Sequence, residues 1–93
     1  MPVRFFVPGP LRDFSGWLAQ VELAGSPETL ADALRALGAL YPGVAKRVLD
    51  EQGEVRPHIN LFVGGDCVRF GDGLATRLPD GCEIAILPAV SGG

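Results

Sequence analysis

The stretch Glu83-Ile84-Ala85-Ile86-Leu87-Pro88-Ala89-Val90-Ser91-Gly92-Gly93 joins an apolar run to a tail of small residues. The apolar run at 83–87 predicts a final core strand. The two terminal glycines lack a Cβ, so they make a thin segment that adopts backbone angles closed to other residues. Five extended residues beyond Pro88 span about 17 Å. This reach suits a carboxylate that is threaded into a narrow active site on another protein; the alternative is a frayed terminus without a role.

The composition predicts one ordinary globular domain. The chain has 93 residues, of which 47% are apolar and 20% charged, and a chain of this length buries enough surface for a single core. The net charge is −3, and the eight basic residues are scattered, with only Lys46 and Arg47 adjacent. Because phosphate backbones are bound by clustered Lys and Arg, we expect no nucleic-acid partner.

The cysteine, histidine and hydropathy patterns exclude further classes of function. Cys67 and Cys82 form no CxxC motif, and with the single His58 they cannot complete a four-ligand zinc site, so no metal is expected. We expect free thiols, as in a reducing compartment, since nothing in the sequence supports a disulfide between them. No apolar run approaches the ~20 residues of a membrane span, and the N-terminus lacks a signal-peptide pattern. A cytoplasmic protein without a membrane partner is therefore expected.

The N-terminal residues predict a pair of strands. Alternation in Val3-Arg4-Phe5-Phe6-Val7 places residues 3, 5 and 7 on one face and residues 4 and 6 on the other. Pro8-Gly9-Pro10 ends this strand, because proline has no N–H to donate to a ladder. We expect an exposed turn at 11–16 and a second strand from Trp17 to Leu23, paired with the first as a hairpin.

A helix is predicted to begin at Ser26-Pro27-Glu28, where the serine caps the free N–H groups, the proline suits the first position and the glutamate favours the positive end of the dipole. The following apolar residues recur at helical spacing and form one stripe: Leu30, Leu34, Leu37 and Tyr41. Gly38 is unfavourable in mid-helix and suggests a close approach of another element. Pro42-Gly43 is expected to end the helix, with one or two further helical turns around Val44 and Val48.

The second half of the chain predicts three more strands. In the strand at 59–63, residues 59, 61 and 63 point inward and Asn60 and Phe62 outward. Gly64-Gly65 is a hairpin signal that returns the chain through 67–70. The order strand, strand, helix, strand, short strand, strand predicts an α+β roll. It has a mixed sheet of about five strands, one main helix across one face, and the first and last strands adjacent at the centre.

Three segments carry a family resemblance. They are Asn60-Leu61-Phe62-Val63-Gly64-Gly65-Asp66-Cys67-Val68-Arg69-Phe70, Gly73-Leu74-Ala75-Thr76, and Leu78-Pro79-Asp80-Gly81-Cys82-Glu83 through Gly93. Together with the element order they resemble the ThiS/MoaD family of sulfur carriers, which have the β-grasp, or ubiquitin-like, fold. The likeness is loose over the whole chain and close over 58–93. The resemblance implies a β-grasp domain at 1–88 and a flexible Gly-Gly tail at 89–93.

Within this family, the length and the ending most resemble the carrier that delivers sulfur for cysteine biosynthesis, with the small subunit of molybdopterin synthase close behind. The resemblance implies that an E1-like enzyme transfers AMP from ATP to the Gly93 carboxylate. This carboxylate, with a pKa of about 3.5, is otherwise ionised and a poor electrophile. A sulfur donor then displaces AMP and leaves a thiocarboxylate, which a sulfur-accepting biosynthetic enzyme consumes. Gly92 keeps the tail slender.

The same resemblance implies a protein cosubstrate rather than an enzyme, although the chain could count as a subunit of molybdopterin synthase. No cofactor is expected to be bound, since ATP is used by the activating enzyme.

A partner-binding patch is expected beside the tail. In a β-grasp sheet the first, third and last strands are neighbours, so one exposed face is expected to carry Arg4, Phe6, Phe62, Ala85 and Leu87. The predicted partner-binding residues are Phe6, Phe62, Leu87 and, in the tail, Val90. For Phe6, the alternative is that the Trp17 strand or a loop covers its ring.

Two other functions stay open. One is a ubiquitin-like modifier that is joined through Gly93 to lysines of other proteins. The other is a non-catalytic β-grasp interaction module with an inert tail. Deletion of Gly92-Gly93 would leave only the interaction module functional, and isopeptide-linked adducts would distinguish the modifier from the carrier.

Overall fold

The computed structural model describes residues 2–88 and contains a mixed, five-stranded sheet. The strands are β1 (Arg4–Phe6), β2 (Gln20–Glu22), β3 (Ile59–Val63), β4 (Asp66–Cys67) and β5 (Glu83–Pro88). They lie in the order β2-β1-β5-β3-β4, with β1 parallel to β5 and the other pairs antiparallel. The predicted α+β roll, with its first and last strands at the centre, is confirmed. The predicted tail at 89–93 lies outside the described residues.

Two α-helices pack against the sheet, α1 (Leu30–Leu40) and α2 (Pro42–Val48). Pro42 ends α1 as predicted and is itself the first residue of α2, a position that proline suits. The two helices meet at Gly38, but a Cβ there would lie 3.4 Å from the Cβ of Ala45, an ordinary contact, so the packing does not require a glycine. Within residues 2–88, no helix has the length and apolar character needed to cross a membrane.

The predicted N-cap at Ser26 is wrong. Thr29 caps α1, and its hydroxyl accepts a hydrogen bond from the backbone of the first helical turn at 3.3 Å. Residues 26–29 precede the helix because they pair with a distant segment. The Leu78 N–H donates to the Glu28 carbonyl at 2.9 Å, and Thr29 forms a bridge with Arg77. This tertiary pairing overrides a cap signal that is strong only locally.

The core lies between the sheet and α1. Alternate strand residues point into it, among them Phe5, Leu61, Ile84 and Ile86, and the predicted inward set of β3 is confirmed. The stripe of α1 meets these residues through its buried leucines, 30, 34 and 37. Burying each such side chain contributes about 1.5–3 kcal/mol. The even-numbered residues of β1 and the odd-numbered residues of β5 are left on the other face of the sheet.

The connection between β1 and β2 differs most from the prediction. The sequence predicts a strand from Trp17, but β2 begins at Gln20. A 3₁₀ helix, Gly9–Phe14, follows β1, and Trp17 lies in the turn after it with φ +68°. The Trp17 N–H donates to the Arg12 carbonyl at 2.8 Å. This hydrogen bond closes the turn and takes Trp17 out of the strand ladder.

The fourth strand is also shorter than predicted. Gly64 and Gly65 form the expected hairpin turn with φ of +59° and +94°, but β4 then ends at Cys67, and a 3₁₀ helix, Val68–Phe70, follows. The Arg69 guanidinium donates from Nη2 to two backbone carbonyls of the segment that enters β3, at 3.2 and 2.8 Å. These hydrogen bonds hold the 3₁₀ helix across the start of β3, so that residues 68–70 do not continue β4 alongside it.

Candidate functional site

The predicted binding residues of the sheet lie together on the face turned away from the helices. In the strand ladder, Phe6 lies opposite Ala85, and Ala85 lies opposite Phe62. Because neighbouring strands are about 4.7–4.9 Å apart, this row places one aromatic side chain on each side of a small one. Leu87 follows two residues along β5, opposite Asn60. Phe6, Phe62, Ala85 and Leu87 are called the β5 face below.

The side chains of the β5 face differ in exposure. Leu87 is 40% exposed, whereas the other three residues are half-buried. The Cζ of Arg12 lies 5.9 Å from the centroid of the Phe6 ring, and the Nε of Arg12 donates to the Val7 carbonyl at 3.1 Å. A residue of the β1–β2 connection therefore lies over part of Phe6. Of the alternative considered for Phe6, cover by the Trp17 strand or by a loop, the second form is present and the first is not, because Trp17 is outside β2. That the β5 face binds a partner stays a prediction.

Charged residues border the β5 face at its far end from the tail. Arg4 lies opposite Glu22 of β2 and opposite Glu83 of β5, and both glutamates are exposed. The Nε of Arg4 is buried without a hydrogen-bond partner among residues 2–88. A buried donor left unpaired costs about 1–3 kcal/mol.

The strand β5 leads from this face directly towards the tail. It is paired up to Pro88, which lies opposite Ile59. The predicted site residues Val90, Gly92 and Gly93 lie outside the described residues. Because β1 and β5 are parallel, their C-terminal ends lie at the same edge of the sheet. The chain therefore leaves β5 at the edge where the β1–β2 connection begins.

The two cysteines are free and half-buried. Cys67 lies opposite Phe62, at the margin of the β5 face. Burial raises the pKa of the Cys82 thiol above its ordinary value of 9.0, which is the opposite of what activates a cysteine nucleophile. In the part of the chain that the structure describes, no three His, Cys, Asp or Glu side chains are grouped to hold a metal ion. Cys82 therefore lacks the surroundings of a reactive thiol.

Sequence reasoning missed two features at the edge where β1 ends. One is Arg12, which lies over Phe6, and the other is the exposure of Trp17 and Leu18, which the sequence placed in a strand next to the predicted turn at 11–16. Gly16, with φ +65°, is the signal that could have extended that turn past Trp17. A glycine among polar residues marks a turn, and apolar residues within a turn are exposed more readily than those of a strand.

Comparison with known protein families and sequences gives full-length matches. The model of the ThiS family matches residues 5–93. The sulfur carrier protein CysO of Mycobacterium tuberculosis is 37% identical over 95 aligned residues that cover 100% of both chains. Small archaeal modifier protein 3 of Haloferax volcanii is 46% identical over 93 residues, which cover 100% of this chain and 98% of that protein. The similar proteins thus include both a carrier and a modifier.

Solved structures agree with the sequence matches. The crystal structure of M. tuberculosis CysO superimposes with a TM-score of 0.85 at 36% identity, covering 95% of this chain and 99% of that one. A chain of the BexX/CysO complex of Amycolatopsis orientalis gives a TM-score of 0.86 at 32% identity and covers 98% of this chain and 99% of its own length. The predicted β-grasp, ubiquitin-like fold is confirmed.

Proposed function

This chain belongs to the ThiS family, as its sequence resemblance predicts, and on that basis we propose that it is a sulfur carrier activated at the Gly93 carboxylate. The observation that carries the proposal is the position of the β5 face. The strand that leads to the tail is flanked in register by Phe6 and Phe62. A partner that docks on this row has the tail within about 17 Å of Pro88.

The proposed chemistry has two steps. An oxygen of the Gly93 carboxylate attacks the α-phosphorus of ATP, the bond to pyrophosphate breaks, and an acyl adenylate forms. Sulfide, or a donor equivalent to it, then attacks the carbonyl carbon, the bond to the AMP oxygen breaks, and AMP leaves with the electron pair. The product is a thiocarboxylate that a sulfur-accepting biosynthetic enzyme of the cysteine or molybdopterin type consumes.

The role proposed for this chain in both steps is that of a cosubstrate. The activating enzyme, which we propose to be E1-like, binds ATP and stabilises the charge that develops on the phosphate and carbonyl oxygens. The two glycines allow that enzyme to place the carboxyl carbon accurately, and correct placement of the reacting atoms accelerates the reaction. The full-length similarity to a sulfur carrier protein supports this role.

The intact mass of the protein tests the proposal. The full chain is incubated with its host's E1-like enzyme, ATP and sulfide, and we expect a mass gain equal to the replacement of one oxygen by sulfur. Deletion of Gly92-Gly93 should abolish the gain. An unchanged mass, with an enzyme that modifies another carrier in the same assay, would contradict the carrier function.

The β5 face has its own test in the same assay. Phe62→Ala should raise the KM for this chain about tenfold, as the loss of a central interface aromatic does. Leu40→Ala is the control, since it removes an exposed apolar side chain from α1, on the side of the sheet opposite to the β5 face. A Phe62→Ala variant that melts like the wild type and keeps its KM would remove the β5 face from the docking surface.

A second candidate function is protein modification, which the 46% identity to small archaeal modifier protein 3 favours. In this reaction a lysine amine of another protein attacks the adenylate, AMP leaves and an isopeptide bond forms. A tagged chain incubated with host extract and ATP would give adducts that survive thiol reductants and that disappear when Gly93 is removed. If the chain forms an adduct with AMP but gains no sulfur, and isopeptide-linked products also appear, the modifier function is favoured over the carrier function.

A further inference from the structure

The β1–β2 connection exposes a group of large apolar side chains separate from the β5 face. Phe14 is 37% exposed, Trp17 73% and Leu18 46%, all within five consecutive residues. These three residues are called the Trp17 patch below. Exposed apolar groups of this size mark interaction surfaces more often than single exposed residues do. Tryptophan in particular is enriched among the residues that contribute most to binding.

The backbone beneath the Trp17 patch is held in place by hydrogen bonds. Ser15 is fully buried, and its hydroxyl donates to the Leu18 carbonyl at 2.9 Å. The Trp17 N–H donates to the Arg12 carbonyl at 2.8 Å. These bonds keep Trp17 at φ +68°, a conformation that persists in a non-glycine residue only where its surroundings enforce it. The loop backbone is therefore ordered before docking, so that docking has to order only the side chains.

One arginine accompanies the patch without a carboxylate partner among residues 2–88. The Cζ of Arg47 lies 4.4 Å from the centroid of the Phe14 ring. The ion pairs between these residues do not involve Arg47, although the chain as a whole has a net charge of −3. An arginine beside an exposed aromatic ring suits a partner that brings carboxylates to an apolar contact.

The Trp17 patch lies at the edge of the sheet that the tail leaves. The connection follows the C-terminal end of β1, the tail follows the C-terminal end of β5, and these two strands are parallel neighbours. The Val7 N–H donates to the Ala19 carbonyl at 2.7 Å, which closes the base of the connection just after β1 and just before β2. A protein that binds the chain where it leaves β5 therefore approaches the same end of the sheet as the patch.

We infer that the Trp17 patch is a second docking site for the enzyme that adenylates the tail. The enzyme contacts the patch through an apolar pocket that is bordered by carboxylates. This inference rests on the proposed function, because the tail identifies the partner. Trp17 and Leu18 fill the pocket, and Arg47 contacts its acidic border. The patch touches no reacting atom, so it contributes to the affinity for the enzyme and leaves the chemical steps unchanged.

Trp17 is the single tryptophan of the chain, which allows a direct test. The full chain is labelled with 5-fluorotryptophan, so that one ¹⁹F resonance reports on Trp17, and the unlabelled E1-like enzyme is added. We expect the resonance to shift or broaden. The same response is expected from the chain without Gly92-Gly93, since the patch contact does not need the reacting carboxylate.

Kinetics of pyrophosphate release give the second readout. Trp17→Ala should raise the KM for this chain about tenfold at unchanged kcat, whereas Leu40→Ala, which removes a 53% exposed leucine from α1, should change neither. Raising the salt concentration should raise the KM of the wild type more than that of Arg47→Ala, because screening weakens only the charge contact. Melting temperatures show that each variant is folded.

The outcomes separate the inference from the proposed function. If the wild type gains sulfur but Trp17→Ala keeps its KM, the inference is overturned and the carrier function stands. If the wild type gains no sulfur and its resonance does not respond, both are overturned. A resonance that moves with chain concentration alone assigns the patch to a second copy of this chain. One that moves with phosphatidylglycerol vesicles assigns it to an anionic membrane surface. Either result overturns the inference.

Discussion

Trp17 combines an exposed side chain with a left-handed backbone, and two substitutions separate the contributions of the two. At φ +68° the Cβ of an L-residue crowds the following carbonyl oxygen, which costs about 1–2 kcal/mol. Trp17→Ala keeps the Cβ and therefore the crowding, whereas Trp17→Gly removes both. Each variant loses the whole indole, so the loss of side-chain contacts is the same in the two proteins.

The expected difference in stability follows from these terms. Compared with Trp17→Ala, the free energy of unfolding of Trp17→Gly is higher by the crowding that is relieved, and lower by about 0.5–1 kcal/mol because glycine has more conformational freedom in the unfolded chain. The difference of these two terms is about 0–1.5 kcal/mol in favour of Trp17→Gly, with a central value of about 0.75 kcal/mol. In a domain of this size, the central value corresponds to about 3–6 °C in melting temperature.

Thermal and urea unfolding followed by far-UV circular dichroism measure this difference without relying on the fluorescence of the deleted indole. An alanine variant that melts above the glycine variant would show that the strain at residue 17 is smaller than the cost of the extra freedom of glycine in the unfolded chain, and would refute the assigned strain of about 1–2 kcal/mol. Both variants should weaken docking on the activating enzyme equally, because docking depends on the indole and stability on the backbone.

Three further predictions concern the helices and a thiol. Gly43→Ala would place a methyl group 2.9 Å from Cδ1 of Phe14, and should lower the free energy of unfolding by about 1 kcal/mol; unchanged urea midpoints would contradict that contact. Gly38→Ala should raise it by about 0.5–1 kcal/mol, since its methyl group meets Ala45 at 3.4 Å, an ordinary contact; a lower midpoint would show the helices too close for a methyl. Burial raises the pKa of Cys82, so the folded state keeps this proton at a pH where the unfolded state has lost it. Stability should therefore fall as pH rises past 9.0, and a Cys82→Ala variant that falls equally would contradict this origin.

The sheet could be predicted because its information is local. In β3 and β5, inward and outward residues alternate with period two, and a slip by one residue would expose the whole apolar set. Glycines that adopt positive φ at 64 and 65 then fix where the hairpin turns. The start of α1 could not be predicted in the same way. The cap is Thr29 and not the predicted Ser26, because residues 26–29 pair with residues near 77, which are remote in sequence.

The residues of the candidate site that lie on strands could be predicted, and those that lie in irregular backbone could not. Phe6, Phe62 and Leu87 could be placed on one face from alternation and strand order, both of which the structure confirms. Arg12 and Trp17 could not be placed. Their positions depend on the 3₁₀ helix after β1 and on the hydrogen bond between them, and neither has a periodic signal. Residues positioned by irregular backbone are those that pattern reasoning misses.

The choice between the carrier and the modifier reaction falls after the adenylate has formed. In either proposed reaction the same acyl adenylate forms at Gly93, and the outcome depends on whether sulfur or a lysine amine reaches the carbonyl carbon. The two terminal glycines have no side chain with which to favour one nucleophile, so the selection must come from the protein that holds the adenylate. The β5 face and the Trp17 patch, as docking surfaces proposed for the activating enzyme, act before this selection. Substitutions at Phe62 and Trp17 should therefore slow both products alike and leave their ratio unchanged, whereas substitutions on the exposed side of α1 should change neither rate nor ratio.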